Sequence, residues 1–296
     1  MNRRSFCGVL SHMQMNVTRR WLIIAISLFG AGCTGFVNVV APKQGFDVVS
    51  SQPYATGSRR TLDIYRPSGA SNNPVVVFFY GGSWQSGNKE DYAFVGSTLA
   101  RLGYVTIIAD YRVFPAVKYP DFLADAAAAV GWSKRNAEKF GGDPRSLFVA
   151  GHSAGAYIAA MLALDSRWLA RERLDAKRDL AGWVGLSGPY DFLPLEDRTL
   201  QVIFGGANNA STQPISYVGR GHAPALLLTG DADTTVLPRN TLNLAARLQA
   251  QRNSVSVRTY PGVGHAQTVG AFSPAFSFLA PAVQDVDAFL RAHKRN

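Results

Sequence analysis

Gly151-His152-Ser153-Ala154-Gly155 sets a serine between two glycines, in the pattern G-x-S-x-G. Leu147 to Ala150, just before it, reads as a short buried strand, and Ala156 to Leu164, just after it, as an apolar helix-forming run. Strand, tight turn and helix together are the context in which this pattern presents a nucleophile. The turn leaves no room for Cβ atoms two residues either side, and it lifts the serine Oγ to the N-terminus of the next helix. A serine hydroxyl attacks a carbonyl only if a base takes its proton, and that base must be held in one tautomer by a carboxylate. Acyl transfer also requires N–H donors aimed at the oxyanion that develops.

The remaining groups are therefore sought in the order serine, acid, histidine, each on a loop leaving a strand. Five histidines compete. His12 lies near the N-terminus, His152 is inside the serine turn, His222 precedes the strand that offers an acid, and His293 is on the last helix. His265, between Gly264 and Ala266 after the last strand, is the expected base, taking the Ser153 proton on Nε2 and donating Nδ1–H to the acid. The loop Gly230-Asp231-Ala232-Asp233-Thr234-Thr235-Val236 holds two candidate acids. Asp233 lies deeper in it and is preferred; Asp231 has the position of a turn-capping residue, and Asp191, one strand earlier, is the outside alternative. The oxyanion donors expected are the backbone N–H of Ala154 and those of Gly82 and Ser83, in a glycine turn that can approach a substrate closely. Trp84 and Phe192 are candidates for the pocket wall, with core or rim packing an equal alternative.

These loops need a scaffold. Val75 to Tyr80 is a continuous apolar, β-branched and aromatic run, the mark of a strand buried on both faces of a parallel sheet. Tyr104–Ala109, Gly182–Leu186 and Ala225–Thr229 read the same way. Phe46–Ser50, Arg60–Tyr65 and Val255–Tyr260 alternate apolar and polar residues, the first two as an antiparallel pair. Helical patterns cover about 91–101, 122–140, 238–251 and 282–293. Arg167–Asp179 reads as one charged helical stretch, a crossover or part of a cap, and Leu193–Gly221 as a long irregular loop. Strands alternating with helices predict an α/β chain with a doubly wound, mostly parallel sheet, one domain over 46–296.

Residues 1–33 read as an export leader. Arg19-Arg20 precede the apolar run Trp21 to Ala31, which is short for a membrane span. Gly30-Ala31-Gly32-Cys33 resembles a bacterial lipobox, with Gly30 where that pattern usually has leucine. This predicts an exported lipoprotein held at the membrane through Cys33, with 34–45 as a tether. The two cysteines, Cys7 and Cys33, both fall in this leader, which leaves the folded body without a disulfide, a thiol nucleophile or a thiolate metal site. The formal net charge is +10, and removing Arg3, Arg4, Arg19 and Arg20 leaves +6 for the body. The basic residues are spread among acids, as on solvated helix faces, so a nucleic-acid partner is not expected.

The chain resembles α/β-hydrolases of the esterase/lipase group that carries an H-G-G-x-W motif. It is similar to bacterial carboxylesterases of the feruloyl and acetylxylan type and to prenylcysteine methylesterases. The resemblance spans 62–290 and is carried by Tyr80-Gly81-Gly82-Ser83-Trp84, Asp110-Tyr111-Arg112, Gly141-Gly142-Asp143-Pro144, Gly151–Gly155, Gly230–Val236 and Gly264-His265. It implies an eight-stranded sheet, a Ser153–Asp233–His265 triad, no cofactor and no metal, and it favours Asp233 over Asp231. The expected function is hydrolysis of a small carboxylic ester, short-acyl or aryl, through an acyl-enzyme. Amide, N-formyl or peptide hydrolysis would use the same triad, and a non-catalytic surface module is the alternative of a different class. The sequence departs from the group at Tyr80, where a histidine usually braces the oxyanion loop.

Overall fold

The computed structural model describes residues 44–69 and 71–295, together with Asn38 and Ala41. Cys33, Cys7 and the expected export leader lie outside the described residues. Eight strands form one sheet: β1 (Phe46–Pro53), β2 (Thr61–Pro67), β3 (Asn73–Phe79), β4 (Val105–Ala109), β5 (Gly142–His152), β6 (Gly182–Leu186), β7 (Ala225–Gly230) and β8 (Val255–Tyr260). Their spatial order is β1-β2-β4-β3-β5-β6-β7-β8. The β1–β2 and β2–β4 pairs are antiparallel and all others parallel. This is the eight-stranded, mostly parallel sheet of an α/β-hydrolase. The middle strands are buried on both faces, which is why their apolar runs do not alternate, whereas the edge strands β1 and β8 keep one face in water.

The order β4-β3-β5 fixes where a site can form. The chain leaves β3 to one side, through α1 (Ala93–Arg101) to β4, and then returns through α2 (Asp121–Asn136) to β5 on the other side. Loops leaving the C-terminal ends of β3 and β5 therefore diverge and open a crevice at this reversal. Phe79 pairs with Gly151, so the turn after β3 lies level with the turn after β5. All residues of α3 (Ala154–Leu164), the helix after that turn, are buried, as its unbroken apolar sequence requires. After α4 (Ser166–Ala170) and α5 (Ala176–Asp179) the chain enters β6; α7 (Arg239–Ala250) joins β7 to β8, and α9 (Ala282–His293) closes the chain.

Three sequence expectations are corrected. The stretch 167–179 is not one helix but the short α4 and α5, each started by an aspartate, Asp165 and Asp175, that accepts a backbone N–H. The helix expected over 122–140 ends at Asn136 and is followed by a 3₁₀ turn, Glu138–Phe140, that Gly141 terminates at φ 79°. The segment 193–221 is not wholly irregular: it contains α6 (Arg198–Phe204), capped by Asp197 and stopped by left-handed Gly205. A helix this short, hemmed by turn residues, carries too few apolar positions for its period to show. Its Phe204 is buried edge-on against Trp84, ring centroids 4.7 Å apart. Within 34–45, Ala41 packs on the core, and Asn38 accepts the Phe94 N–H at the start of α1.

Candidate active site

Ser153 sits at the junction of β5 and α3 with φ 55° and ψ −121°, a conformation that non-glycine residues rarely adopt. Two close approaches enforce it. A Cβ on Gly151 would lie 2.2 Å from the carbonyl oxygen of Gly155, and one on Gly155 would lie 1.9 Å from that of Phe79. Both glycines of the pattern are thus needed, one to close the turn and the other to let α3 press against the end of β3.

The loops after β7 and β8 bring the acid and base to this serine. His265 Nε2 is 2.8 Å from Ser153 Oγ, and His265 Nδ1 is 2.8 Å from Asp233 Oδ2. His265 opens α8 (His265–Gly270), a short helix directly after the loop that follows β8. The buried Asp233 uses its other oxygen to accept the N–H groups of Thr235 and Val236. Burial alone would raise its pKa, but the hydrogen bond from His265, the histidine's charge, the Val236 N–H and the Ser187 hydroxyl outweigh it and hold the carboxyl below its ordinary value. An ionised carboxylate only accepts, so the proton of neutral His265 belongs on Nδ1 and Nε2 is left to receive the serine proton.

The competing residues fall elsewhere. Asp231 accepts the Gly262 N–H and serves as a turn cap, and Asp191 accepts from Asn243. His222 accepts the Gly219 N–H, and His293 contacts the Phe289 carbonyl at the end of α9.

On the other side of Ser153 lies the turn after β3. Gly82 has φ 130°, and Ser83 and Trp84 follow at φ 52° and 59°, so three successive residues have positive φ. A Cβ on Gly82 would stand 2.2 Å from the Ser86 carbonyl oxygen, so this position admits only glycine. The Gly82 carbonyl accepts from the N–H groups of Gln85 and Ser86. Among the described residues nothing accepts the N–H of Gly82, Ser83 or Ala154, and the last belongs to the open first turn of α3. Ser83, Trp84, Ser153, Ala154, Phe192 and Leu237 contribute to the walls of a cavity of about 390 Å³. Trp84 and Phe192 stack in it with centroids 6.2 Å apart, so both line the cavity and both also pack on the aromatic core.

Tyr80, the departure noted in sequence, has its own bracing. Its hydroxyl donates to Asp110 Oδ1 at 2.7 Å and accepts from Arg59 Nη2 at 2.9 Å. The same guanidinium donates to the carbonyls of Gly87 and Tyr111, and the Lys89 N–H donates to Asp110 Oδ1. Tyr111 O–H donates to the Tyr80 carbonyl, and the two rings stack at 4.8 Å. Burial, reinforced by the neighbouring Tyr111 and Asp110, pushes the Tyr80 hydroxyl far above its ordinary pKa and keeps it a donor. Sequence reasoning assigned no role to Arg59, Asp110 or Ser187. Asp110 at least stood in a quoted motif; Arg59 gave no signal, because its partners are distant along the chain. Among the described residues no group of three or more His, Cys, Asp or Glu could hold a metal ion, and no helix is long and apolar enough to cross a membrane.

Comparison with known proteins finds esterases similar to this chain. The BD-FAE family model matches residues 62–248, which include Ser153 and Asp233. Esterase LipC of Mycobacterium tuberculosis is 30% identical over 237 residues, 72% of this chain and 58% of LipC. Isoprenylcysteine alpha-carbonyl methylesterase ICME of Arabidopsis thaliana is 35% identical over 148 residues, 49% of this chain and 35% of ICME. The chain therefore spans between a third and three fifths of the length of these two relatives. Among solved structures, a truncated carbohydrate esterase from gut microbiota superposes with a TM-score of 0.74 at 20% identity, covering 86% of this chain and 98% of its own. Apo esterase 2 of Thermogutta terrifontis gives a TM-score of 0.69 at 25% identity, covering 85% and 96%.

Proposed function

The chain belongs to the BD-FAE family, and from that premise we propose that it is a carboxylesterase acting through an acyl-enzyme on Ser153. The observation that carries the proposal is the unbroken line Ser153 Oγ–His265 Nε2, His265 Nδ1–Asp233 Oδ2, 2.8 Å at each step. Ser153 Oγ attacks the ester carbonyl carbon while His265 Nε2 takes its proton. The carbonyl oxygen becomes an oxyanion facing the N–H groups of Gly82, Ser83 and Ala154. Collapse breaks the bond to the alcohol oxygen, which leaves with the proton from His265. His265 then deprotonates a water that attacks the acyl-serine, releasing the carboxylic acid and restoring Ser153. Asp233 stays ionised throughout and stabilises the imidazolium that forms twice in each turnover.

The aromatic wall of Trp84 and Phe192 and the cavity volume favour a short-acyl or aryl ester. Ser153→Ala is expected to lower p-nitrophenyl acetate hydrolysis by about 10⁴- to 10⁶-fold and to abolish labelling by a fluorophosphonate. Hydrolysis at the parental rate, or undiminished labelling, would refute the mechanism. An activity profile across ester, anilide and peptide substrates tests the bond class. We also propose that the folded body is a single domain over 46–296. Residues 1–33 are proposed to direct export, with lipidated Cys33 holding the body at a bacterial membrane; palmitate incorporation that survives Cys33→Ala would sink that idea.

A further inference from the structure

The residue before the nucleophile has no part in the line just described. His152 is 5% exposed, and its ring stands 4.8 Å from that of His265. Its Nε2 lies 3.1 Å from the His265 carbonyl oxygen, which also accepts the Thr268 hydroxyl at 2.8 Å. Its Nδ1 lies 3.5 Å from the hydroxyl of Tyr92, and that hydroxyl lies 3.3 Å from the N–H of Gly81. A Cβ on Gly81 would fall 3.2 Å from the same Nδ1 and 3.1 Å from Ser153 Cβ, so the two turns touch here.

Donor and acceptor rules fix the direction of this chain. A carbonyl only accepts, so His152 Nε2 carries the proton and Nδ1 offers a lone pair. The Gly81 N–H only donates, so the Tyr92 oxygen accepts from it and the Tyr92 proton is left for Nδ1. The sequence runs Gly81 N–H to Tyr92 O–H to His152 Nδ1, and His152 Nε2–H to the His265 carbonyl. It joins the turn carrying the oxyanion donors to the residue carrying the base. Tyr92 is itself fixed, stacked between Tyr80 and Phe94 with centroids 5.8 and 5.9 Å away.

We propose that His152 and Tyr92 are positioning residues that set the distance between the oxyanion donors and the His265 ring, making the two flanks of Ser153 one unit. This rests on the esterase reading. The rate reports on geometry, because displacing a reacting group by 1 Å costs on the order of 100-fold.

The test uses the full chain, with rates expressed per serine titrated by a fluorophosphonate so that misfolded protein does not count. His152→Gln keeps a donor for the His265 carbonyl and loses the acceptor for Tyr92; Tyr92→Phe loses the link from the other end without changing shape. Each is expected to lower kcat for p-nitrophenyl acetate about 10-fold with KM within about 2-fold, and the double variant to be no slower than the slower single. The affinity for a boronic acid, which forms a tetrahedral adduct on the serine, should weaken in step with kcat. A role confined to folding would lower the titratable fraction and leave kcat per titrated serine unchanged, which overturns the proposal. Single effects that multiply in the double variant also overturn it. If Tyr92→Phe alone is soluble, its kcat and boronic-acid affinity decide the matter. Failure of the underlying esterase reading would show separately, as activity that persists in Ser153→Ala.

Discussion

The two flanks of Ser153 are built in opposite ways. On the base side, Asp233 and His265 stand on consecutive strand ends, and much of what holds the acid is local. Asp233 accepts from Thr235 and Val236 within its own loop, and Asp231 pins that loop to Gly262. On the oxyanion side, the turn after β3 is held from afar. Arg59 reaches in from the connection between β1 and β2, Asp110 from the end of β4, and Tyr80 and Tyr111 brace each other across the gap. The groups proposed to exchange protons thus need few supporting residues, most of those behind Asp233 in its own loop. The backbone N–H groups proposed as donors carry no side chain of their own to anchor, and their turn borrows rigidity from two other segments. Changes on the first flank should strike the chemistry and spare the fold; changes behind the second should strike both.

The largest expected effect tests the base side. Asp233→Asn keeps the size of the side chain but lets its amide present a donor to His265 Nδ1, which favours the wrong tautomer. The expected loss in kcat is about 10⁴-fold. Thermal stability should change far less than activity, since the Thr235 and Val236 N–H groups can still be accepted by the amide oxygen. Enzyme that keeps more than a tenth of its kcat would remove Asp233 from the role of orienting acid.

The oxyanion side should respond differently. Tyr80→Phe takes from Asp110 its 2.7 Å donor, leaving the Lys89 N–H, and from Arg59 one of its three acceptors, leaving the Gly87 and Tyr111 carbonyls, with little change of shape. A buried polar group deprived of its partner costs about 1–3 kcal/mol, and each kcal/mol lowers Tm by about 2–4 °C in a chain of this size. The rate should fall as well, by about 10-fold, less than the 10²- to 10³-fold that losing a whole oxyanion donor costs. Arg59→Ala should shift Tm and kcat together in the same sense. A Tyr80→Phe variant with parental Tm and kcat would show that the turn holds itself and would end the contrast drawn between the flanks.

This division also explains what the sequence disclosed. The serine turn is legible because its two glycines answer contacts within the turn and with the adjoining strand end, which only glycine satisfies. Asp233 and His265 are legible because the order of strands fixes where an acid and a base can follow a serine. The central strands announce themselves by unbroken apolar runs. Arg59 could not be read, since nothing in Gly57-Ser58-Arg59-Arg60 states which arginine turns inward; the pairing depends on a fold that brings residue 59 to residue 80. The short α6 escaped for a related reason: its place is decided by Phe204 packing on Trp84, a tertiary contact, and its seven residues give too little periodicity to betray it.

His152 lies between the flanks, and its protonation gives the smallest and most specific signal. Burial, then repulsion from His265, press its pKa down to about 3, against the opposing pull of Asp233 and the His265 carbonyl. The titratable groups facing it are His265, Asp233 and Tyr92. An unfolded histidine titrates near 6.5. Between those values the unfolded chain holds a proton that the folded chain lacks, so unfolding gains on folding as pH falls. The contribution of neutral His152 is complete above about pH 6.5 and drains away toward pH 3, by at most about 1.4 kcal/mol for each pH unit. Asp233 also has a lowered pKa, but its contribution is lost only as pH drops through and below the ordinary carboxylate value near 4. Urea unfolding between pH 6.5 and 4.5 covers this window; burial also lowers the pKa of His222 and raises that of Asp110, so the comparison with His152→Gln, in which both are retained, assigns the share of His152. The parent should lose stability across this range, and His152→Gln should lose distinctly less, whatever its stability at pH 7. Equal slopes would mean that His152 accepts a proton in the folded state, and a charged ring with protons on both nitrogens could not take one from Tyr92.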